Sequence, residues 1–182
     1  MNILNGGAHA ASDVDIQEFM VVPHGFDSYP EALRAGVETY HSLRSVLKER
    51  GLLGGIGDEG GFAPNLPSNE MGLGLLSEAI ELAGYSPGDE LGIALDVAAQ
   101  EFLHDDGYHI DGGILSGEDL VETYARWVDE HPIISIEDPF GEDDWSSWSS
   151  LTSEIGDRVQ IVGDDLFVTN VNRLSDGIER RS

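Results

Sequence analysis

Cysteine is absent from all 182 residues, so neither disulfides nor thiolate chemistry is open to this chain. Lysine is nearly absent: Lys48 stands alone, and the other eight basic residues are arginines. No apolar run approaches the roughly 18 residues that a membrane-spanning helix needs. The opening MNILNGGAHA has neither the charged nor the apolar segment of a signal peptide. A soluble, cytoplasmic chain is expected. The nine basic residues face 35 acidic ones, a net charge of −26, and such a surface repels nucleic acid and anionic membranes. Acids this dense oppose compaction unless salt screens them, which points to a salt-loving, halophilic host. A calcium buffer or an acidic tail would cluster its charge, whereas here the acids are spread along the chain.

What is present is a core-forming sequence, 40% hydrophobic, in which apolar runs alternate with segments of helical period. Residues 19–22 form a strand-like run ended by Pro23. From 29 to 50, Leu33, Val37, Tyr40, Leu43 and Leu47 recur on one helical face. Residues 51–67, rich in Gly and Pro, read as a loop. A helix over 70–83 is weakened by Gly72 and Gly74 and closed by Gly84. Strands follow at 91–95, 133–136 and 159–162, with helices over 117–130, from about 143 and from about 170. No repeat or linker divides the chain, so residues 1–182 read as one unit. The alternation implies right-handed crossovers and an α/β fold with a parallel sheet. A complete (β/α) barrel needs ~200 residues or more, so the chain is either a small open sheet or part of a barrel.

Single acids close three of the apolar runs. Asp96 follows 91–95, Glu137 and Asp138 follow 133–136, and Asp164 and Asp165 follow 159–163. The intervals, 41 residues from Asp96 to Glu137 and 27 from Glu137 to Asp164, each leave room for a crossover helix. In a parallel sheet all three acids emerge at the carboxyl edge, where active sites of such folds lie. Converging carboxylates raise one another's pKa unless a cation neutralises them. Hard oxygen donors without cysteine select Mg²⁺, Mn²⁺ or Ca²⁺. Any one such acid could simply end a strand in an acidic protein; three in the same relative place argue for a site. Gly55, Gly57 and Gly60 match G-x-G-x-x-G, but they follow a helix, run into Pro64 and Pro67, and enclose Asp58 and Glu59. A dinucleotide site is therefore excluded. His24, His41, His104, His109 and His131 show no metal-like grouping and read as structural or exposed.

Six ordered motifs carry a resemblance: NGGAHA at 5–10, DIQEFM at 15–20, GDEGGFAPN at 57–65, LDVAAQEF at 95–102, SIEDPF at 135–140 and GDDLFVTN at 163–170. Together with EDDW at 142–145, they make the chain similar to the enolase family over nearly its whole length. The resemblance implies a partial (β/α) barrel of enolase type, the first five of eight strands with their helices, starting ββαα with an antiparallel second strand. It implies Mg²⁺ held by Asp96, Glu137 and Asp164, the last two also meeting substrate. It implies Glu59 as the general acid for the departing C3 hydroxyl, since hydroxide leaves poorly. Glu18 supports that step, Gln17 contacts substrate, and His9 closes over the phosphoryl group. Alone, His9 reads as a surface residue and Glu18 as a solvent-facing strand residue; the motif gives both their roles. Substrate and product are 2-phosphoglycerate and phosphoenolpyruvate, and full-length members are expected to be homo-oligomers.

The family's N-terminal domain, with its loop serine, and its last three barrel strands, with the lysine base and further substrate contacts, have no counterpart here. Lys48 lies in the first long helix and cannot be that base. Residues 179–182 depart from the family's continuation, which points to truncation or a frameshift. The chain alone is expected to be inactive; the alternative is a non-catalytic acidic fragment that binds a divalent metal. Screening shortens the Debye length from ~10 Å at 0.1 M salt to ~3 Å at 1 M. The thermal unfolding midpoint should therefore climb as KCl is raised over that range, and a melt indifferent to salt would contradict the halophilic reading.

Overall fold

Local signals set where each element starts and stops. In the computed structural model, which describes residues 1–10 and 12–182, the chain runs β1 (Asn2–Asn5), β2 (Glu18–Pro23), α1 (Tyr29–Glu49), β3 (Gly55–Ile56), β4 (Phe62–Ala63) and α2 (Asn69–Leu82). It continues through β5 (Leu91–Asp96), β6 (Leu103–His104), β7 (Gly107–Ile110), β8 (Gly113–Leu115) and α3 (Gly117–Glu130) to β9 (Ile133–Glu137), α4 (Trp145–Ile155), β10 (Gln160–Val162) and α5 (Val171–Arg180). A proline sits in the first turn of α1, where its missing N–H leaves no helical bond unmade. Ser68 caps α2 by accepting from the Met71 N–H, and Asp144 caps α4 through Ser147. Ser116 and Asp119 cap α3 reciprocally, and Pro132 follows its end.

The large sheet has the order β10–β9–β5–β2–β1–β4–β3. β5, β9 and β10 are parallel, and β2 runs antiparallel to both β1 and β5. This is the expected partial barrel: β1, β2, β5, β9 and β10 form the wall, β2 is the reversed member, and the barrel does not close. Helices α1 and α2 pack together over β2, and α3 and α4 pack together beside β9. An edge-to-face aromatic chain of Tyr108, Phe140, Tyr124 and Trp127, with Trp148 on Phe140, fills the space under α3 and α4. No helix among the described residues is long and apolar enough to cross a membrane.

Two sequence expectations need correction, and one feature goes beyond them. The buried face of α1 is Ala35, Gly36, Thr39, Leu43, Val46 and Leu47, while Leu33 and Val37 are 44% and 40% exposed. Small residues at 35, 36 and 39 let the helix approach the sheet closely, so packing rather than side-chain apolarity selects the face. The stretch 51–67 is not all loop, because β4 joins β1 through Leu4 and Phe62 and pairs with β3. Strands β6, β7 and β8 form a separate meander that no alternation announced, since each has only two to four residues.

The two glycines that weaken α2 are not equivalent. A Cβ on Gly72 would lie 2.8 Å from Cε1 of Phe19, a fully buried ring, whereas one on Gly74 would meet nothing within 4 Å. Gly74→Ala should stabilise the chain by about 0.5–1 kcal/mol through helix propensity. Gly72→Ala should destabilise it by about 1–3 kcal/mol by overpacking. Urea unfolding of the two variants checks this, and equal shifts would show that Phe19 is not fixed against α2.

Candidate active site

Sheet register alone assembles the site. Asn5 lies opposite Glu18, Glu18 opposite Asp96, Asp96 opposite Glu137, and Glu137 opposite Val162. β5 and β9 end at this row. β2 runs the other way, so its first residue, Glu18, lies at the same edge. Neighbouring strands are ~4.8 Å apart, which sets the spacing of the three carboxylates. Asp164 comes two residues after Val162, on the turn that leaves β10, and is exposed.

Oxygens of Asp96, Glu137 and Asp138 lie within 4.8 Å of one another. Gln17 Nε2 donates to Asp96 Oδ2 at 3.1 Å, but Asp96 Oδ1 is buried without a partner. A buried acceptor left unpaired is costly, and here it belongs to a carboxylate grouped with two others. All-oxygen hard donors with an orphaned buried oxygen fit a divalent cation of the Mg²⁺ type. The third oxygen of the close group belongs to Asp138, not to Asp164. Asp138 is buried, has a φ of 43°, and its carboxylate accepts from the N–H groups of Asp165 at 3.0 Å and Leu166 at 3.5 Å. It anchors the turn that carries Asp164, whose charge still acts on Glu137.

Beside this group lies a second, formed by His9, Glu18 and Glu59. His9 Nδ1 is 3.4 Å from Glu18 Oε1. Glu59, on the turn between β3 and β4, brings a carboxylate oxygen within 4.8 Å of Glu18 and accepts from Asn2 Nδ2 at 3.2 Å. The Asp58 N–H donates to the His9 carbonyl at 3.2 Å, tying the two loops together. His9, Gln17, Glu18, Glu59, Asp96 and Glu137 are thus gathered by hydrogen bonds and strand register at one edge of the sheet.

The electrostatics follow from burial and crowding. Burial, then Glu59 and the charges of Asp96 and Glu137, push Glu18 up to about 8. Burial and the charges of Asp96, Asp138, Asp164 and Asp165 push Glu137 up to about 7. Burial foremost, with Asp165 and Asp96, raises Asp138 to about 6, and burial raises Asp96. Glu59 goes the other way, held below the usual carboxylate range by its hydrogen bonds to Glu18 and Asn2. The two neighbours are thus driven in opposite directions, Glu18 toward its neutral form and Glu59 toward its charged one.

Sequence reading gave no role to Asn2 or Asn5, and it noted Asp138 beside Glu137 without giving it one. The acid doublet at Glu137 and Asp138 carried a usable signal, since the second acid falls just past the strand end, where the backbone turns at a φ of 43°. His131, expected to stand apart from any metal-like grouping, does sit with Glu70 and Glu130, their ligand atoms within 4.8 Å. Arg126 and Trp127 already occupy Glu70, however. The groove of about 890 Å³ between α3 and α4 lies on the outer helical face and shares no residue with the site.

The raised carboxyls bind protons more tightly in the folded chain than in the unfolded one, where a glutamate titrates near 4.5. Between about pH 5 and 8 the folded state then holds more protons, so stability of the metal-free chain falls as pH rises. Melting at pH 8 should be lowest and should recover as pH is brought toward 5. Mg²⁺ should raise the midpoint at pH 8 and do less at pH 5, where protons compete. A midpoint that rises with pH would contradict the crowding described here.

The family model of the enolase C-terminal TIM barrel domain matches residues 1–182. Over those 182 residues the chain is 59% identical to an enolase from Beutenbergia cavernae, an alignment covering 100% of this chain and 43% of that protein. The chain thus spans less than half the length of this curated relative.

Proposed function

Because the chain belongs to the enolase C-terminal barrel family, we propose that it carries the metal-holding and proton-delivering part of a site that dehydrates 2-phosphoglycerate to phosphoenolpyruvate, a step of glycolysis and gluconeogenesis. The observation that supports this most is the strand-end row of Glu18, Asp96 and Glu137 with the orphaned Oδ1 of Asp96. Asp96, Glu137 and Asp164 would hold Mg²⁺, with Asp138 fixing the turn that presents Asp164. The bound ion would supply positive charge where the substrate carboxylate becomes more negative as the C2 proton leaves.

The chain's own residues do the rest. Gln17, bonded to Asp96, orients that carboxylate and presents its amide edge to substrate. Glu59, supported by Glu18 beside it, would deliver a proton to the C3 oxygen, so that the C–O bond breaks to water rather than hydroxide. His9, held against Glu18, stands ready for the phosphoryl group. The C2 proton needs a base, and the one lysine, Lys48, is exposed in the last turn of α1. No lysine of this chain can take it, so the 182-residue chain by itself is not expected to turn over.

A second reading, resting on the same carboxylate row, is a non-catalytic acidic chain that binds a divalent metal. Calorimetry with Mg²⁺ and the absorbance of phosphoenolpyruvate separate them. Wild type should bind Mg²⁺, and Asp96→Asn or Glu137→Gln should weaken binding about 10- to 100-fold. Asp164→Asn should weaken it directly, and Asp138→Asn less, through the turn. Full turnover by this chain would show that another group serves as base. Absent Mg²⁺ binding would remove the metal reading.

A further inference from the structure

Asn69 opens α2 and is not a member of the carboxylate row, yet it is fully buried and every polar valence of its side chain is used. Its Oδ1 accepts from the N–H groups of Asp15 and Ile16, both at 3.0 Å. Its Nδ2 donates to Asp15 Oδ2 at 2.8 Å and to Asp111 Oδ1 at 2.7 Å. The same Asp111 oxygen accepts the Asn69 backbone N–H at 2.7 Å, and the Asp111 N–H donates to Asp15 Oδ2 at 2.8 Å. One carboxamide thus ties together three segments that lie 42 to 96 residues apart in sequence.

The chemistry singles out asparagine. Two adjacent backbone N–H groups need an acceptor and two facing carboxylates need donors, and a carboxamide supplies both. Aspartate would offer acceptors alone and add a third negative charge. Asp111 also satisfies one of the N–H groups that the first turn of α2 leaves unpaired, and its charge is favourable there. Its φ of 52° is a left-handed conformation that the network holds in place.

What this network holds is the run into the site. Val14 and Ile16 are buried, the Val14 carbonyl accepts from Gly7, and the Gln17 carbonyl accepts from Gly6. Gln17 follows Ile16 directly and reaches Asp96. We infer that Asn69 is a positioning residue, which clamps the backbone of Asp15 and Ile16 so that Gln17 meets Asp96 and the Gly6–Gly7 turn presents His9. This rests on the reading of Gln17 and Asp96 as parts of the site.

The test uses the 182-residue chain and nuclear magnetic resonance, with Met71→Ala, two residues on in α2 and half-buried, as the control for general loosening. In Asn69→Ala the N–H groups of Asp15 and Ile16 should exchange about tenfold faster relative to the rest of α2 and the sheet. The Gln17 side-chain amide resonances should move to the positions of a free amide. Asn69→Ser, a milder change should the alanine variant not fold, should give shifts of the same sign. Met71→Ala should lower the melting midpoint and leave both signals in place. Unmoved Gln17 resonances in either Asn69 variant would overturn the inference, as would equal movement in Met71→Ala. Mg²⁺ titration of the wild type tests the site reading separately: failure to bind would sink that reading, while the Gln17 resonances alone decide the role of Asn69.

Discussion

Repulsion among carboxylates is the constraint on which the rest of the site depends. Backbone register places Glu18, Asp96 and Glu137 side by side, and Asp138 and Asp165 add to the same field. Compensation is partial: the amide of Gln17 bonds one oxygen of Asp96, His9 lies 3.4 Å from Glu18, and backbone N–H groups meet Asp138. Such an arrangement costs folding free energy at neutral pH unless protons or a cation occupy it. In a chain of net charge −26 the surroundings deepen rather than relieve that cost. Selection for stability alone would not concentrate acids there.

The fold opposes this repulsion with rigid support on every side. Tyr124, buried in the aromatic chain, donates its hydroxyl to the Pro139 carbonyl at 3.0 Å. Trp148 Nε1 donates to the Gly141 carbonyl at 3.2 Å, and the Gly141 N–H donates to the Tyr108 hydroxyl at 3.1 Å. The three bonds pin the chain immediately after Glu137 and Asp138, so those acids cannot splay apart. Asp138 pins the next turn through two backbone N–H groups, and Asn69 pins the entry to β2. Asn2 holds Glu59, and the His9 carbonyl holds the turn that carries it. The result is preorganisation, in which charged groups are kept where they act rather than where they are most comfortable.

Much of this was legible in the sequence, and the reasons are specific. Strand ends were readable at Asp96 and Glu137 because apolar runs of five and four residues stop there, and a parallel sheet sends all such ends to one edge. Helix α3 was readable to the residue because Ser116 and Asp119 cap it and Pro132 follows its end. The face of α1 was misread because small residues, not large apolar ones, make its closest contacts. The meander β6–β8 escaped because two to four residues carry no period. Asn69 and Asp138 escaped for a deeper reason. Their roles lie in hydrogen bonds to backbone far away in sequence, and neither periodicity nor spacing encodes such a partner.

The most direct measurement is the position of a bound Mn²⁺, used as a stand-in for Mg²⁺, in crystals of this chain by anomalous scattering. The account predicts one strong peak at the carboxyl edge, ~2.0–2.6 Å from oxygens of Asp96 and Glu137. A peak confined to the outer cluster of Glu70, Glu130 and His131, or no peak at the strand-end row at saturating Mn²⁺, would contradict it.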